Sequence, residues 1–562
     1  MPWTLYRYFL RELVRLLVLT SAVLVTVIAF AAAIKPLADG LLGAEAMVRF
    51  VFFSTPTFLS FAVPFAGAFA ATLVFLRLAS DNELLACSAS GMSYHSILLP
   101  VAALGLAVTM GMFYLSNWIV PRFYLATAAV IEQDLTRAMV AQLRKGQPVI
   151  FRDADAVLYA DRAQETKPQP VEGQRIQPSR QVVLEHVMVG QLDNENRIKS
   201  NFSAERADAF LYHDGGQSYA VVVLRHFTHY DASRGQFDRR DARLPEATTL
   251  PPIKLASPFR DNPKFLGLSE LRALGDEPER YDDVREAKRE LAQRIASERI
   301  VRQLAAAALA GSRGGDITKG TLLQGPTPQE TFRVAAPTAK RSPEGMMLLS
   351  EADKPVLIEY LRDGLIARRI TATSALVVLC QADPEPQLRI ELTDARISDP
   401  RSRGAVTEHA RYELLPTTWP KPMLQPLLQQ HDVEDLRQLA LGQAFRNVRT
   451  IQLAALKLQN DKTALLRKVL AQLHARTAAA IACLLLLILG AVLAMRMRGS
   501  MPLAVFFWSC LLAFVTLILI NTGAQMAEAA NFPIYVGLGL LWSGNLLLLI
   551  VAAAVYCVLA RN

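Results

Sequence analysis

Both ends of this 562-residue chain are strongly apolar and its middle is not; no other feature limits the possible folds as much. An α-helix rises 1.5 Å per residue, so about 20 apolar residues cross a bilayer core. Five or six segments qualify, roughly 12–35, 50–76, 97–120, 476–495, 501–523 and 533–560. Pro64 and Pro100 fall in the second and third. Membrane helices tolerate them because neighbouring groups satisfy the carbonyls that proline frees. The first segment begins with Arg7, Arg11 and Arg15 and ends at Ala31-Ala32-Ala33, much as a signal peptide does. Its apolar run exceeds the usual run of about 7–15 residues, so it reads as a retained helix.

Basic residues orient these segments, because they accumulate on the cytoplasmic side. Arg7, Arg11 and Arg15 precede the first segment and Arg77 follows the second. Arg496 and Arg498 separate the fourth from the fifth, and Arg561 follows the sixth. Six crossings put all of them on one side. The loop after the fifth segment has Glu528 and no Lys or Arg; the loop after the first sets Lys35 and Arg49 against Asp39 and Glu45. Both termini are therefore expected in the cytoplasm, with residues 121–475 outside.

The net charge of +9 does not point to nucleic acid. Part of it is cytoplasmic anchoring, the rest is scattered, and there is no basic stripe with interleaved aromatics. Cys87 falls in a cytoplasmic loop and Cys483, Cys510 and Cys557 in apolar segments. Cys380 alone lies in the outer region, which therefore has no internal disulfide and is expected to be held by its own core.

Within that region, residues 147–230 read mainly with period two. Pro148–Arg152, Ala156–Ala160, Gln181–Val189 and Ser218–Phe227 are expected strands, and Asp214-Gly215-Gly216 a hairpin turn. The fold expected here is a β-sandwich or open roll. Residues 246–263 are Pro-rich and read as a linker. From 268 to 310 the pattern is helical, with Glu290 and Arg294 at i,i+4 and Val284, Leu291 and Ile295 on one side, until Gly311-Ser-Arg-Gly-Gly breaks it. Strands return over 318–415, among them Pro355–Tyr360, Ala375–Cys380 and Gln387–Leu392, and a helical stretch at 431–473 leads into the fourth apolar segment. One sheet system interrupted by a helical insert is the expectation; two separate sheets are the alternative.

Catalytic signals are lacking. The nearest approach to a phosphate-binding loop, Gly311–Gly320, has the wrong spacing. There is no nucleophile elbow and no pair of acids that stands out. His226 and His229, three apart in an expected strand, point to opposite faces, so they read as sheet-surface residues and not as a metal site.

Polar residues in the apolar segments say more. Asn117 and Pro121 end the third; Asn521, Gln525 and Glu528 mark the outer end of the fifth; Asn545, close to Trp542, reads as an interhelical hydrogen bond. Lys35 should reach the outer interface. It either snorkels to headgroups or meets a lipid phosphate inside a helix-lined cavity. Arg122 and Arg137 invite the same two readings.

The insert Arg77-Leu-Ala-Ser-Asp81-Asn82-Glu83-Leu84-Leu85-Ala-Cys-Ser-Ala-Ser90-Gly91 is longer than a helix pair needs to reverse. It is expected to form a short helix at the cytoplasmic face, capped by Ser80 or Asp81 and ended by Gly91. Such a helix is a handle for another protein.

Several of these residues carry a family resemblance: Arg7-Tyr-Phe-Leu-Arg-Glu12, Ala38-Asp-Gly40, Pro56 and Pro64, Ser80-Asp-Asn-Glu-Leu84, Ala89-Ser-Gly91, Asn117-Trp-Ile-Val-Pro121 and Trp542-Ser-Gly-Asn545. Together they resemble the LptF/LptG (YjgP/YjgQ) permeases, closely over 1–140, less so over 465–560, and only in architecture between. The resemblance implies an α-helical membrane protein with six transmembrane helices split three and three around a large periplasmic β-jellyroll-like domain with a helical insert. Its parts would be 1–124 (helices 1–3, with a coupling helix at about 80–91), 125–473 (β-rich domain, insert at about 255–345) and 474–562 (helices 4–6).

The resemblance also implies one half of an ABC transporter in the bacterial inner membrane. Its partners would be a second LptF/LptG-like permease, an LptB-like ATPase dimer and an LptC/LptA-like periplasmic bridge, and its cargo lipopolysaccharide or a related lipid. Asp81, Glu83, Leu84 and Gly91 would couple to the ATPase, with Glu83 at the family's acidic coupling position. Lys35, Arg122 and Arg137 would be the candidates for lipid phosphate. No cofactor is implied in this chain; ATP and Mg belong to the partner. The rivals are a mechanotransmission-type ABC component, which usually has four helices, and a membrane-anchored envelope scaffold.

Overall fold

The computed structural model describes residues 3–38, 44–124, 148–151, 156–166, 180–192, 198–214, 217–231, 236–238, 247–249, 253–255, 262–313, 321–325, 329–342, 345–351, 354–380, 385–398, 406–414, 417–497 and 501–561, besides a few isolated positions. Among the described residues six helices are long and apolar enough to cross a membrane, more than the four of a mechanotransmission-type component. They include α1 (Trp3–Ala38), α2 (Ala44–Ser80) and α4 (Tyr94–Tyr114), with the short α3 (Glu83–Ala89) between the last two. A single π turn, Leu115–Ile119, prolongs α4, and helix continues to residue 124.

One apolar cluster fixes which helix ends meet. Phe9 and Leu13 of α1, Phe75 and Leu78 of α2, Leu84 of α3 and Ile97 of α4 pack with Met495, Val505 and Leu559 from the C-terminal half. Both chain termini therefore share one end of the bundle with α3, as the basic residues require.

Eight antiparallel strands form a first sheet. β1 (Val149–Phe151), β2 (Ala156–Thr166), β3 (Arg180–Leu192), β4 (Ile198–Asp214), β5 (Gln217–Asp231) and β6 (Gln236–Asp238) lie side by side in chain order. Asp214 pairs with Gln217, so β4 and β5 meet where the hairpin is expected. β7 (Ala247–Thr249) and β8 (Ile253–Leu255) both pair with β5, so the expected linker at 246–263 contributes strands. Among the described residues there is no Greek-key crossing in this sheet. Its core is Ala160, Ala163, Leu184, Val187, Ala204, Ala207 and Leu224 with their neighbours.

Residues 274–466 form a separate compact unit. In it α5 (Leu268–Asp276), which begins just before the boundary, is followed by α6 (Asp282–Arg313), where Val284, Leu291 and Ile295 are all buried and Arg294 reaches Glu290 at 2.8 Å. A second sheet of ten strands, β9 (Thr321–Gln324) to β18 (Thr417–Thr418), has its own core, into which α6 inserts Ile300, Leu304 and Ala308. No described strand of one sheet pairs with the other, so the expectation of one interrupted sheet system is not met. The reason is local: α6 gives the second sheet an apolar cover of its own, and each sheet closes its core independently. Helix over 268–310 followed by returning strands is as expected: α6 ends at Arg313 and β9 begins at Thr321.

α7 (Leu424–Gln430) and α8 (Val433–Leu441) precede α9, which runs unbroken from Arg449 to Arg496, far beyond its apolar run. α10 (Pro502–Glu528) and α11 (Ile534–Arg561) complete the bundle. These last two approach closely because glycines meet backbone: a Cβ on Gly523 would lie 2.3 Å from the Leu541 nitrogen, and one on Gly537 2.3 Å from the Ala527 nitrogen.

Candidate functional site

Two features of the bundle offer work beyond packing: the α3 handle at one end, and an apolar cavity that reaches toward the other.

The chain enters α3 through a left-handed corner. Asn82 has φ 58°, and Asp81 and Asn82 donate their amides to Arg77 O at 2.9 Å and Ala79 O at 3.3 Å. An N-cap side chain works from an extended backbone, so neither Ser80 nor Asp81 caps the helix as expected. Ser80 bonds back to Arg77 O within α2, and Asp81 is exposed. Asparagine suits the corner because it tolerates the left-handed region better than most residues. The other end follows the sequence reading. Gly91 has φ 86°, its amide donates to Ser88 O at 3.0 Å, and Met92 N donates to Cys87 O at 3.2 Å. That is a complete Schellman stop, which needs a residue at positive φ.

The two leucines of α3 divide the labour. Leu84 is 7% exposed, locked into the cluster that also holds Phe9 and Leu13 of α1, so it anchors the helix. Leu85 is 56% exposed. Nothing but its neighbour's burial distinguishes it, and periodicity over seven residues is too short to reveal that from sequence. Glu83 is half-buried beside Cys87, whose thiol is pushed up by burial and then by the Glu83 carboxylate. In the last turn of α2, Arg77 donates to Glu12 Oε1 and Tyr8 Oη of α1, each at 3.0 Å.

α1, α2 and α4 line an open cavity of about 1030 Å³. Its walls are apolar, with Leu17, Val25 and Ala29 on α1, Val51, Leu59 and Val63 on α2 and Met112 on α4, closed by Leu115 and Ile119 of the π turn. Ser21, Thr26 and Thr55 are the hydroxyl groups in this lining. The volume lies at the upper limit of small-molecule pockets, roughly 300–1,000 Å³. An apolar groove of this kind accepts hydrocarbon and offers a charged group nothing.

The expected phosphate ligands fare unequally. Lys35 lies within α1, two residues beyond the lining Ala33, and its side chain is outside the described residues. Arg122 is exposed one turn beyond the lining Ile119, so it shares the cavity's helix face at the rim. Arg137 lies outside the described residues.

Near the π turn, at the end of the bundle away from α3, α9 supplies a belt of polar contacts. Arg467 donates to the carbonyls of Ala529 and Phe532 at 2.7 and 2.9 Å, and Gln472 to Glu528 at 2.9 Å. Trp542 donates to His474 at 3.3 Å, and Asn545 to Ala478 O at 3.0 Å, the expected interhelical bond. Arg476 donates to Asn117 Oδ1 and to the carbonyls of Lys264 and Leu266. The sequence reading passed over Arg476, although a charged residue at the head of an apolar run is by default a functional candidate.

Among the described residues no group of histidines, cysteines and acids could hold a metal ion. The family model described as "Lipopolysaccharide export system permease LptF/LptG" matches residues 7–320 and 350–557. The gap between those blocks, 321–349, is much smaller than the insert expected at 255–345. No individual curated protein matches the chain.

Proposed function

We propose, from the premise that this chain belongs to the LptF/LptG family of lipopolysaccharide export permeases, that it is the half of an ABC transporter that turns movement of α3 into displacement of a lipid held along α1. The family's permeases are transport subunits, not enzymes. The finer reading is an inner-membrane protein with cytoplasmic termini and both sheets in the periplasm. It would pair with a second such permease, take force from an LptB-like ATPase dimer that binds ATP and Mg, and pass lipopolysaccharide or a related lipid to an LptC/LptA-like bridge through a jellyroll-like domain.

One observation carries this reading. Leu84 of α3 shares an apolar cluster with Phe9 and Leu13 of α1, and α1 continues from Leu17 as a wall of the cavity. Close-packed interiors transmit displacement instead of absorbing it. The Arg77–Glu12 pair, 3.0 Å, ties the end of α2 that leads into α3 to that same start of α1. A push on α3 therefore moves the start of α1. External energy is needed because pulling a lipid from the bilayer opposes about 0.8 kcal/mol for each CH₂ exposed to water. Asp81, Glu83 and Leu85 form the surface that meets the ATPase, Leu84 and Gly91 hold that surface in place, and Lys35, Arg122 and Arg137 meet phosphate at the outer rim.

The test is Glu83→Ala in the reconstituted complex. ATP-driven lipid release should fall several-fold while the complex stays assembled; unchanged release would remove the coupling role from α3.

A further inference from the structure

The polar node around Arg476 joins the cavity wall through Asn117 of the π turn, and it sets a use for that turn. A π turn holds one residue more than an α-helix allows, and such turns recur at functional positions. Here Val120 N–H reaches back to Leu115 O, five residues away. Leu115 and Ile119 line the cavity. Asn117, between them, is 1% exposed; its amide donates to Phe113 O at 2.8 Å and its Oδ1 accepts from Arg476 at 3.3 Å. The second amine of Arg476 donates to Lys264 O at 2.9 Å and Leu266 O at 2.8 Å. Phe265, between those carbonyls, stacks on Tyr124 at 3.5 Å between centroids and 5° between planes. One guanidinium and one ring thus fasten the 262–267 turn, the chain that follows the first sheet, to the two helices.

We infer that the π turn senses the load in the cavity, and that Asn117 and Arg476 relay its state to the 262–267 turn. The geometry supplies the amplification. Moving the extra residue out of Leu115–Ile119 rotates the helix beyond it by one residue's share of a 3.6-residue turn, about 100°. Tyr124 lies in that rotated piece, so its stack on Phe265 cannot survive the change. Hydrocarbon against Leu115 and Ile119 favours whichever register offers those two side chains the better wall. Arg476 is a positioning residue here: it touches no lipid, and its fork converts the place of Asn117 into the place of two backbone carbonyls. The inference rests on the reading that lipid occupies the cavity.

The test uses the full complex in phosphatidylethanolamine nanodiscs with and without lipopolysaccharide. Tyr124→Cys and Phe265→Cys report their separation through a short dithiol cross-linker. Cross-linking should change at least threefold on adding lipopolysaccharide. In an Arg476→Gln background it should not change, although as much lipid co-purifies. Arg476→Lys keeps the charge but not the three-acceptor fork, and carries the test if Arg476→Gln does not assemble; its response should be reduced. Lipid-independent cross-linking with the native arginine, or an undiminished response in the folded variant, overturns the relay while leaving the transport reading intact. Failure of lipopolysaccharide to bind the complex with native Arg476 overturns the transport reading itself and the relay with it.

Discussion

Leu184 and Val187 stand three residues apart in β3, yet both point into the same core. An ideal strand sends residues three apart to opposite faces. His186 resolves the conflict: at φ 50° it turns the backbone so that Glu185 and His186 both face away from that core. The same shift pairs Ala160 with Ala163, Ala204 with Ala207 and Leu224 with Phe227 on the neighbouring strands. A β-branched residue at 186 would have to adopt the left-handed region, at about 1–2 kcal/mol. His186→Ile is expected to lower the denaturation midpoint accordingly and His186→Gly to leave it nearly unchanged, since the exposed pairing with Asp161 at 3.6 Å contributes little. Equal losses in a urea titration would show that His186 serves by its side chain instead.

That seam also shows where reading the sequence stops. Alternation located strands in both sheets and the hairpin at Asp214. The doublets Asp161-Arg162, Glu185-His186, Glu205-Arg206 and Arg225-His226 break the alternation, and each alone looks like noise. They become one feature only when the register places Asp161, His186, Glu205 and His226 in a row, which is tertiary information. The handle was legible because Gly91 is needed at positive φ, but its start was not, because Asn82 caps nothing and only turns the chain. The cavity was legible as six apolar segments and no further. The packing of α1 against α2 and α4 decides its walls, and apolar residues look alike whether they face lipid, a neighbour or a void.

Leu84 and Leu85 are adjacent and identical in kind, so they separate anchoring from contact. Leu84→Ala removes a buried side chain and should cost about 2–5 kcal/mol of stability. Leu85→Asp should leave the melting temperature within about a degree and abolish co-purification with the ATPase. The idea that Leu85 is the contact fails if that variant retains the ATPase at native stoichiometry.

Gly537 faces the Ala527 backbone so closely that a methyl group there would meet its nitrogen at 2.3 Å and its Cβ at 2.8 Å. No side chain can yield to backbone, so α10 and α11 must part. Gly537→Ala is expected to cost about 1–3 kcal/mol, the range for overpacking. Gly539, which meets nothing within 4 Å, should accept alanine with no loss. Thermal unfolding of the two variants side by side in detergent distinguishes close approach from helix propensity.

Glu290 accepts from Lys457 at 2.9 Å and Arg294 at 2.8 Å. The bond to Lys457, then that to Arg294, hold its carboxyl below the ordinary 4.5, against a smaller opposing effect of burial. A carboxyl whose folded pKa is depressed stabilises the fold above its unfolded pKa and loses that contribution as pH falls through the folded one. Glu290→Gln should therefore cost about 1 kcal/mol at neutral pH and make the decline in stability below pH 4.5 shallower. Parallel stability curves for the two proteins below that pH would show that Glu290 titrates alike in both states.

Thr55 lines the cavity from α2, where its hydroxyl bonds back to Val51 O at 2.8 Å and so makes no contact across the space. A tryptophan there can occupy the void without displacing a polar partner. If lipid alone uses this space, filling it has a signature of its own. Thr55→Trp should reduce co-purifying lipopolysaccharide and ATP-driven release several-fold. Basal ATP hydrolysis and assembly should persist, because α3 and its anchor at Leu84 lie at the far end of the helices. Melting temperature should hold or rise, since an apolar ring gains contacts with the apolar walls. A fall in stability together with loss of assembly would mean that this part of α2 packs against a second permease, and the groove would cease to be a candidate for the lipid's path.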